Sequence, residues 1–226
     1  MRIQTKFKPQ IKAMNSTLYF SRNPNPRLAV AVARHLASPV KFEWASPFAP
    51  GQAEIFRPLN PSLRLPILDG EGGSIWEADA IACQLSQMAG SNFWRVGAEL
   101  PDMIRWISWA HNNFVHACDV VHFERGTKQR YSLGTLDEAL VASGLAQFHE
   151  SAAILDAQLQ QRDWLLASGL SYADFRMATF LPFNDVALLP LAQYPCLAAW
   201  YGRLDAIDAW ANPFLDLDAP ELPPIP

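Results

Sequence analysis

The chain has 226 residues, half of them hydrophobic, and a net charge of −4. That content supplies enough apolar side chain for two cores in a soluble chain, and the acidic balance excludes an extended nucleic-acid surface. No window approaches the ~20 apolar residues of a membrane span. Cys83, Cys118 and Cys196 are odd in number, widely spaced and all in predicted helices. They read as buried reduced thiols in a cytoplasmic protein.

Residues 1–16 concentrate basic charge at Arg2, Lys6, Lys8 and Lys12 without an acidic residue or a secretory apolar run. They read as a flexible extension, or as sequence ahead of a true start at Met14. Thr17-Leu-Tyr-Phe20 follows as a strand, with Tyr19 packing on one face. Asn25-Pro26 has the form of an N-cap with proline at the first helical position, which predicts a helix from about 26 to 37. Leu28, Val32 and Leu36 fall on one face of it. Val40, Phe42 and Trp44 alternate with Lys41 and Glu43 as a half-buried strand. An irregular or short helical link covers 47–63. Pro66 then opens an apolar run, Asp69-Gly70 with Gly72-Gly73 signals a hairpin, and Ile75-Trp76 returns as a strand. Ile81, Leu85 and Met88 recur at helical spacing, so Glu77 and Ala78 lie on the first turn of another helix. The order is a βαβ unit followed by a ββα unit.

Downstream the pattern is helical throughout. A helix from Pro101 to about Asp119 carries Trp106, a core residue by its spacing, and Trp109 with Asn113, four apart and candidates for the wall of an interdomain cleft. His111 and His116, five apart, do not share a helical face, so no metal site is expected. A polar, basic loop over 123–134 leads to a long helix from Leu136 to about Gln161. Ser171 and Asp174 form a capping box, with Leu170 and Phe175 spaced as a hydrophobic staple. Tyr194-Pro-Cys-Leu-Ala-Ala-Trp200 marks a further helix, and the Pro-rich run of 213–226 is a surface tail.

The chemistry concentrates near Pro66 and Glu77. Proline cannot donate to a strand ladder, and a cis bond there would turn the carbonyl and amide of Leu65 outward, leaving an extended backbone open to a ligand. Beside it, the free N–H groups and dipole of the helix opening at Glu77 and Ala78 attract a carboxylate.

On these residues, together with the Ser171-x-x-Asp174 box after Trp-Leu-Leu-Ala-Ser-Gly, the chain resembles the glutathione S-transferase superfamily over roughly residues 17 to 211. The resemblance implies an α/β plus all-α chain: a thioredoxin-like βαβ-ββα domain at 17–90, then a helical-bundle domain at 100–212. It implies glutathione as co-substrate, a hydrophobic electrophile as partner, a homodimer, and no nucleic acid, membrane or metal. Leu65 and Pro66 match the element that pairs with the cysteinyl part of glutathione. Glu77 and Ala78 match the element that holds the γ-glutamyl end, and Arg64 the residue facing the glycyl carboxylate. Ala78 stands where serine is usual. In the loop Ser21-Arg-Asn-Pro-Asn-Pro26, which lacks Tyr and Cys, Asn23 or Ser21 takes the thiol-polarising position, and Asn25 the cap. Trp109 and Asn113 match the second-substrate cleft. The expected function is transfer of the glutathione thiolate to an electrophile, or glutathione-dependent peroxide reduction. The competing reading is a binding module of the same fold with reduced catalysis.

Overall fold

The structure, a computed structural model, describes residues 16–225. The basic segment singled out in the sequence, with Met14, therefore lies outside the described residues.

Four strands form one mixed sheet: β1 (Thr17–Phe20), β2 (Lys41–Trp44), β3 (Ile67–Gly70) and β4 (Gly73–Trp76), in the spatial order β2-β1-β3-β4. Strand β2 runs parallel to β1, and β3 runs antiparallel to both β1 and β4. Glu71 and Gly72 make the tight turn of the β3–β4 hairpin, with Gly70 paired to Gly73. Alternation divides the sheet into two faces. Leu18, Phe20 and Leu68 point toward α1 (Pro24–His35) and α3 (Ala78–Met88), where Leu28, Val32, Ile81 and Leu85 complete a core. Tyr19 and Ile67 face the other way, onto α2 (Ala53–Phe56), and Tyr19 packs edge-on against Phe56 at 5.3 Å. This is the expected βαβ-ββα arrangement.

Helix α1 begins two residues earlier than predicted. Asn23 is extended (φ −66°, ψ 159°) and occupies the cap, and Pro24 takes the first helical position. Pro26 follows inside the first turn, where a missing N–H costs nothing. Asn25 therefore lies within the helix, and its side chain is free to reach outward.

The helical domain contains α4 (Leu100–Asn112), α5 (Phe114–His122), α6 (Lys128–Arg130), α7 (Glu138–Leu159), α8 (Tyr172–Met177), α9 (Asn184–Ala187), α10 (Pro195–Asp205) and α11 (Asp208–Ala211). The single helix expected over 101–119 is broken at Asn113 (φ −131°, ψ −96°), whose amide donates to the Trp109 carbonyl at 2.9 Å. Much of the loop expected over 123–134 is helical. Phe123–Thr127 widens into a π turn and leads directly into α6. Two features hold it. Gly126 admits Val186 so closely that a Cβ would stand 2.8 Å from its Cγ1. Buried Glu124 accepts from Lys128 at 2.8 Å and from the Asp137 N–H at 2.8 Å.

At the centre of this domain the Ser171/Asp174 box is formed. Asp174, fully buried, accepts from the N–H groups of Ser171 and Leu165, both at 2.9 Å, and from Trp200 Nε1 at 3.0 Å. Burial pushes its carboxyl up, while these donors pull it back. One acidic side chain thus ties the start of α8 to α10 and to the segment before it. Trp106 is buried, as its spacing predicts. Of the three cysteines only Cys118 is buried; Cys83 and Cys196 are half-buried, and all three are free. The Pro-rich tail has no regular structure, yet it is strapped down: Arg22 Nε donates to the Ala219 carbonyl at 2.8 Å, Arg34 Nε to Pro213 at 3.3 Å and Arg130 Nε to Pro223 at 3.0 Å. Among the described residues no helix is long and apolar enough to cross a membrane.

Candidate functional site

Strand register assembles the site. Tyr19 pairs with Ile67, and Ile67 with Trp76, so these three form one row across β1, β3 and β4. One step beyond that row the chain has Phe20-Ser21 at the end of β1, Leu65-Pro66 ahead of β3 and Glu77-Ala78 after β4. Adjacent strands lie ~4.8 Å apart, so segments far apart in the chain converge at one end of the sheet.

The Leu65–Pro66 bond is cis. Among the described residues neither the N–H nor the C=O of Leu65 has a hydrogen-bond partner. The Arg64 carbonyl, by contrast, accepts from Asn60 Nδ2 at 2.8 Å, which fixes the approach to that bond. Arg64 itself is exposed. Glu77 has a left-handed-side backbone (φ 73°, ψ 128°) and caps α3 without a side-chain hydrogen bond. The N–H groups of Ala78, Asp79 and Ala80 precede the first intrahelical bond, from Ile81 to the Glu77 carbonyl at 3.0 Å. They form an open donor set at the positive end of an 11-residue helix. Ala78 is buried and Glu77 exposed. In the β1–α1 loop, Asn23 Nδ2 donates to Ser21 Oγ at 3.1 Å, so the two thiol-polarising candidates are coupled. The serine's own proton remains available to a third group.

The second domain reaches this region through residues that sequence reasoning missed. Asp79, on the first turn of α3, accepts from His111 Nε2 at 2.7 Å and from the Tyr172 hydroxyl. Arg176 Nε lies 3.5 Å from the same carboxylate. The Arg176 guanidinium also donates to Asn25 Oδ1 at 2.6 Å and approaches His111 Nδ1 at 3.0 Å. A neutral His111 protonated on Nε2 satisfies both of its contacts, donating to Asp79 and accepting from Arg176. Burial pushes the Asp79 carboxyl up, but the His111 hydrogen bond, the Arg176 charge and the Tyr172 hydroxyl outweigh it and hold the group below the usual carboxylate range. The cluster ties the first turns of α1 and α3 to α4 and α8. Its signal in the sequence was Arg176 itself, a cation one turn inside a helix whose other positions are mostly apolar.

Trp109 lies on another side of α4, and Asn113 stands just past the end of that helix. Trp109 is half-buried and packs edge-on against Trp106 at 5.7 Å. Two residues along a helix amount to about 200° of rotation, so His111, which contacts the first domain, projects from a face roughly opposite Trp109.

Comparison with known proteins bears on the fold and on the second domain. A family model described as "Glutathione S-transferase, C-terminal domain" matches residues 138–203. The chain is 25% identical over 156 residues to a glutathione S-transferase-like protein, LUC7, of Fusarium sp, a match spanning 66% of this chain and 68% of that protein. Among solved structures, glutathione transferase F7 from Populus trichocarpa superposes with a TM-score of 0.79 at 15% identity, covering 88% of this chain and 97% of that one. A glutathione S-transferase from Rhodospirillum rubrum F11 gives 0.76 at 21% identity, covering 92% and 96%. Glutathione S-transferase-I bound with lactoylglutathione gives 0.78 at 19% identity, covering 88% and 98%. At these identities the structural matches speak to the fold. With a thioredoxin-like first domain and a helical second domain whose residues 138–203 match the family model, the chain is similar in fold to the glutathione S-transferases and, over that second domain, in sequence.

Proposed function

We propose that the protein is a glutathione transferase acting in the cytoplasm as a homodimer, in which the thiolate of bound glutathione attacks a hydrophobic electrophile or reduces a peroxide. The observation that carries this is the convergence of an unpaired Leu65 backbone with the open N-terminus of α3 at one end of the sheet. In this reading the cysteinyl amide of glutathione pairs with Leu65 beside Pro66. The γ-glutamyl carboxylate takes the N–H groups of Ala78 and its neighbours, Glu77 faces the γ-glutamyl ammonium, and Arg64 faces the glycyl carboxylate. A peptide carrying two carboxylates suits a helix dipole at one end and a guanidinium at the other. Likeness in fold to a glutathione S-transferase solved with lactoylglutathione supports the choice of ligand class.

A free thiol has a pKa of about 8.5, so the protein must favour the thiolate. That role falls to Ser21, whose oxygen accepts from Asn23, which polarises the hydroxyl, and whose proton donates to sulfur. The electrophile is assigned to the side of α4 that carries Trp109, next to Asn113 at the helix end.

Calorimetry with glutathione at neutral pH tests the proposal on the wild type and on Ala78→Ser. A hydrogen bond to a charged group contributes ~1.5–3 kcal/mol, so the added hydroxyl should tighten binding by roughly tenfold or more. Saturable wild-type binding with a tighter Ala78→Ser variant is expected, with Ser21→Ala lowering turnover and leaving affinity nearly unchanged. Binding that appears only in Ala78→Ser would favour the non-catalytic binding module, which the missing serine hydroxyl motivates. No binding in either variant refutes the glutathione site.

A further inference from the structure

Ser21 carries the thiol-polarising role proposed above, yet the backbone around it does little to hold it. Among the described residues neither Ser21 nor Arg22 donates or accepts a backbone hydrogen bond. On the strand side the last such contact is the Phe20 carbonyl, which accepts from the Ala45 N–H at 2.8 Å. On the helix side the first is the Asn23 carbonyl, which accepts from the Arg27 N–H at 2.9 Å. A segment with neither ladder nor helical bonds takes its geometry from its side chains.

Both residues flanking Ser21 are held by the C-terminal tail. Phe214 stacks on Phe20, with ring centroids 5.7 Å apart and planes 17° from parallel. The same ring lies under the Arg22 guanidinium, 4.8 Å from its centroid. Arg22 Nε donates to the Ala219 carbonyl at 2.8 Å, and Nη2 lies 2.8 Å from Glu221 Oε1. Ala219 is buried, so its carbonyl is the protected contact. The Glu221 side chain is 79% exposed and supplies only a screened charge. The tail is anchored on either side of these contacts. Arg34 on α1 donates to the Pro213 carbonyl at 3.3 Å, and Arg130 on α6 to that of Pro223 at 3.0 Å. Phe214 and Ala219 are thus fixed points to which the two neighbours of Ser21 attach.

We propose that residues 213–221 of the tail position the β1–α1 loop, with Phe214 and Arg22 as positioning residues that aim the Ser21 hydroxyl at the glutathione sulfur. What Ser21 does rests on the glutathione reading; how the loop is held does not. A hydrogen bond weakens steeply as its donor turns away. A loop released from the tail would therefore lose thiolate stabilisation, while the Leu65 backbone and the start of α3 would still bind the peptide.

Two readouts test this: backbone NMR relaxation of the unliganded protein for the loop, and thiolate absorbance against pH for bound glutathione. Phe214→Leu and Arg22→Met should each lower the order parameters of Ser21, Arg22 and Asn23 from about 0.85 to below ~0.6. In both variants the bound thiol should titrate about half a unit or more higher, toward the free value of ~8.5, with glutathione affinity nearly unchanged. Phe214→Leu alters no charge, so its thiol shift cannot come from removing a cation near the sulfur. Phe214→Tyr keeps the ring and should match the wild type in both readouts. Arg130→Met frees the far end of the tail without touching Arg22 or Phe214, and should also leave both unchanged. Unaltered order parameters in Phe214→Leu and Arg22→Met, or a loosened loop with an unshifted thiol, would overturn the positioning role. A wild type that does not bind glutathione would instead sink the glutathione reading, and the order parameters would still decide whether the tail holds the loop.

Discussion

Removing the interdomain clamp should cost stability in a way that identifies its partners. The perturbation is a double-mutant cycle of Asp79→Asn and Arg176→Met, chosen because Arg176 is nearly buried, at 6% side-chain exposure, and Asp79 is 26% exposed. At 3.5 Å and an effective dielectric of about 20, the pair attraction has a ceiling of ~5 kcal/mol. Partial solvent access to Asp79 and the competing bond from Arg176 to Asn25 reduce it, leaving a coupling of ~1.5–2 kcal/mol. Each single substitution should cost ~2–3 kcal/mol, a large fraction of the 5–15 kcal/mol typical of a folded domain. Asp79→Asn disturbs more than charge. An amide N–H facing His111 forces the other tautomer, whose Nδ1–H then meets the Arg176 donor. Urea unfolding of the wild type and three variants is the assay, with tryptophan fluorescence and circular dichroism required to give coincident transitions. The double variant should be less destabilised than the sum of the singles by the coupling energy. Additivity within ~0.5 kcal/mol would refute the pairing and leave Arg176 acting through Asn25 alone.

Asp174→Ala strips acceptors from two backbone N–H groups and the Trp200 indole inside the core; with ~1–3 kcal/mol for each stranded group and incomplete additivity, a loss of ~3–5 kcal/mol is expected by denaturant titration. Ser171→Ala should cost only ~1 kcal/mol. His122 is buried among Phe180 and Phe183, and burial together with the Arg130 charge pushes it down to about 4, against ~6.5 in the unfolded chain. The unfolded state then binds the proton more readily, so this contribution is complete above about pH 6.5 and is lost as pH falls toward about 4, ~3 kcal/mol over the window. His122→Leu should flatten the stability profile there, and an unchanged slope would count against this account. At Gly144 a Cβ would stand 2.8 Å from Val121 Cγ2 and 3.1 Å from Val120 Cγ1, where α5 crosses α7. Gly144→Ala should therefore lose ~1–2 kcal/mol net in a thermal melt despite its gain in helix propensity.

The first domain was legible because its signals are local. Alternation placed the strands, the glycine pairs placed the hairpin, and Pro66 and Glu77 announced an unpaired backbone and a helix start by their own chemistry. Errors arose where two local signals competed. Asn23-Pro24 and Asn25-Pro26 are equally good caps, and only packing chose the first, freeing Asn25 for Arg176. The basic segment at 123–134 read as a loop by its polarity. Glu124 and the Gly126–Val186 approach hold much of it helical through residues distant in the chain. On α4 the role of His111 was not legible, because its partners Asp79 and Arg176 lie far away in the chain.

The sequence by itself determined the order of elements in the first domain, its succession by a helical domain, the capping box, the Leu65–Pro66 and Glu77–Ala78 elements and the absence of Tyr and Cys from the β1–α1 loop, since each follows from composition or backbone propensity within a few residues. Only the tertiary structure decided what Asp79, His111, Tyr172, Arg176 and Arg22 do. Their partners lie 32 to 197 residues away, and a polar side chain has no readable role until folding sets which charge, carbonyl or ring stands opposite it.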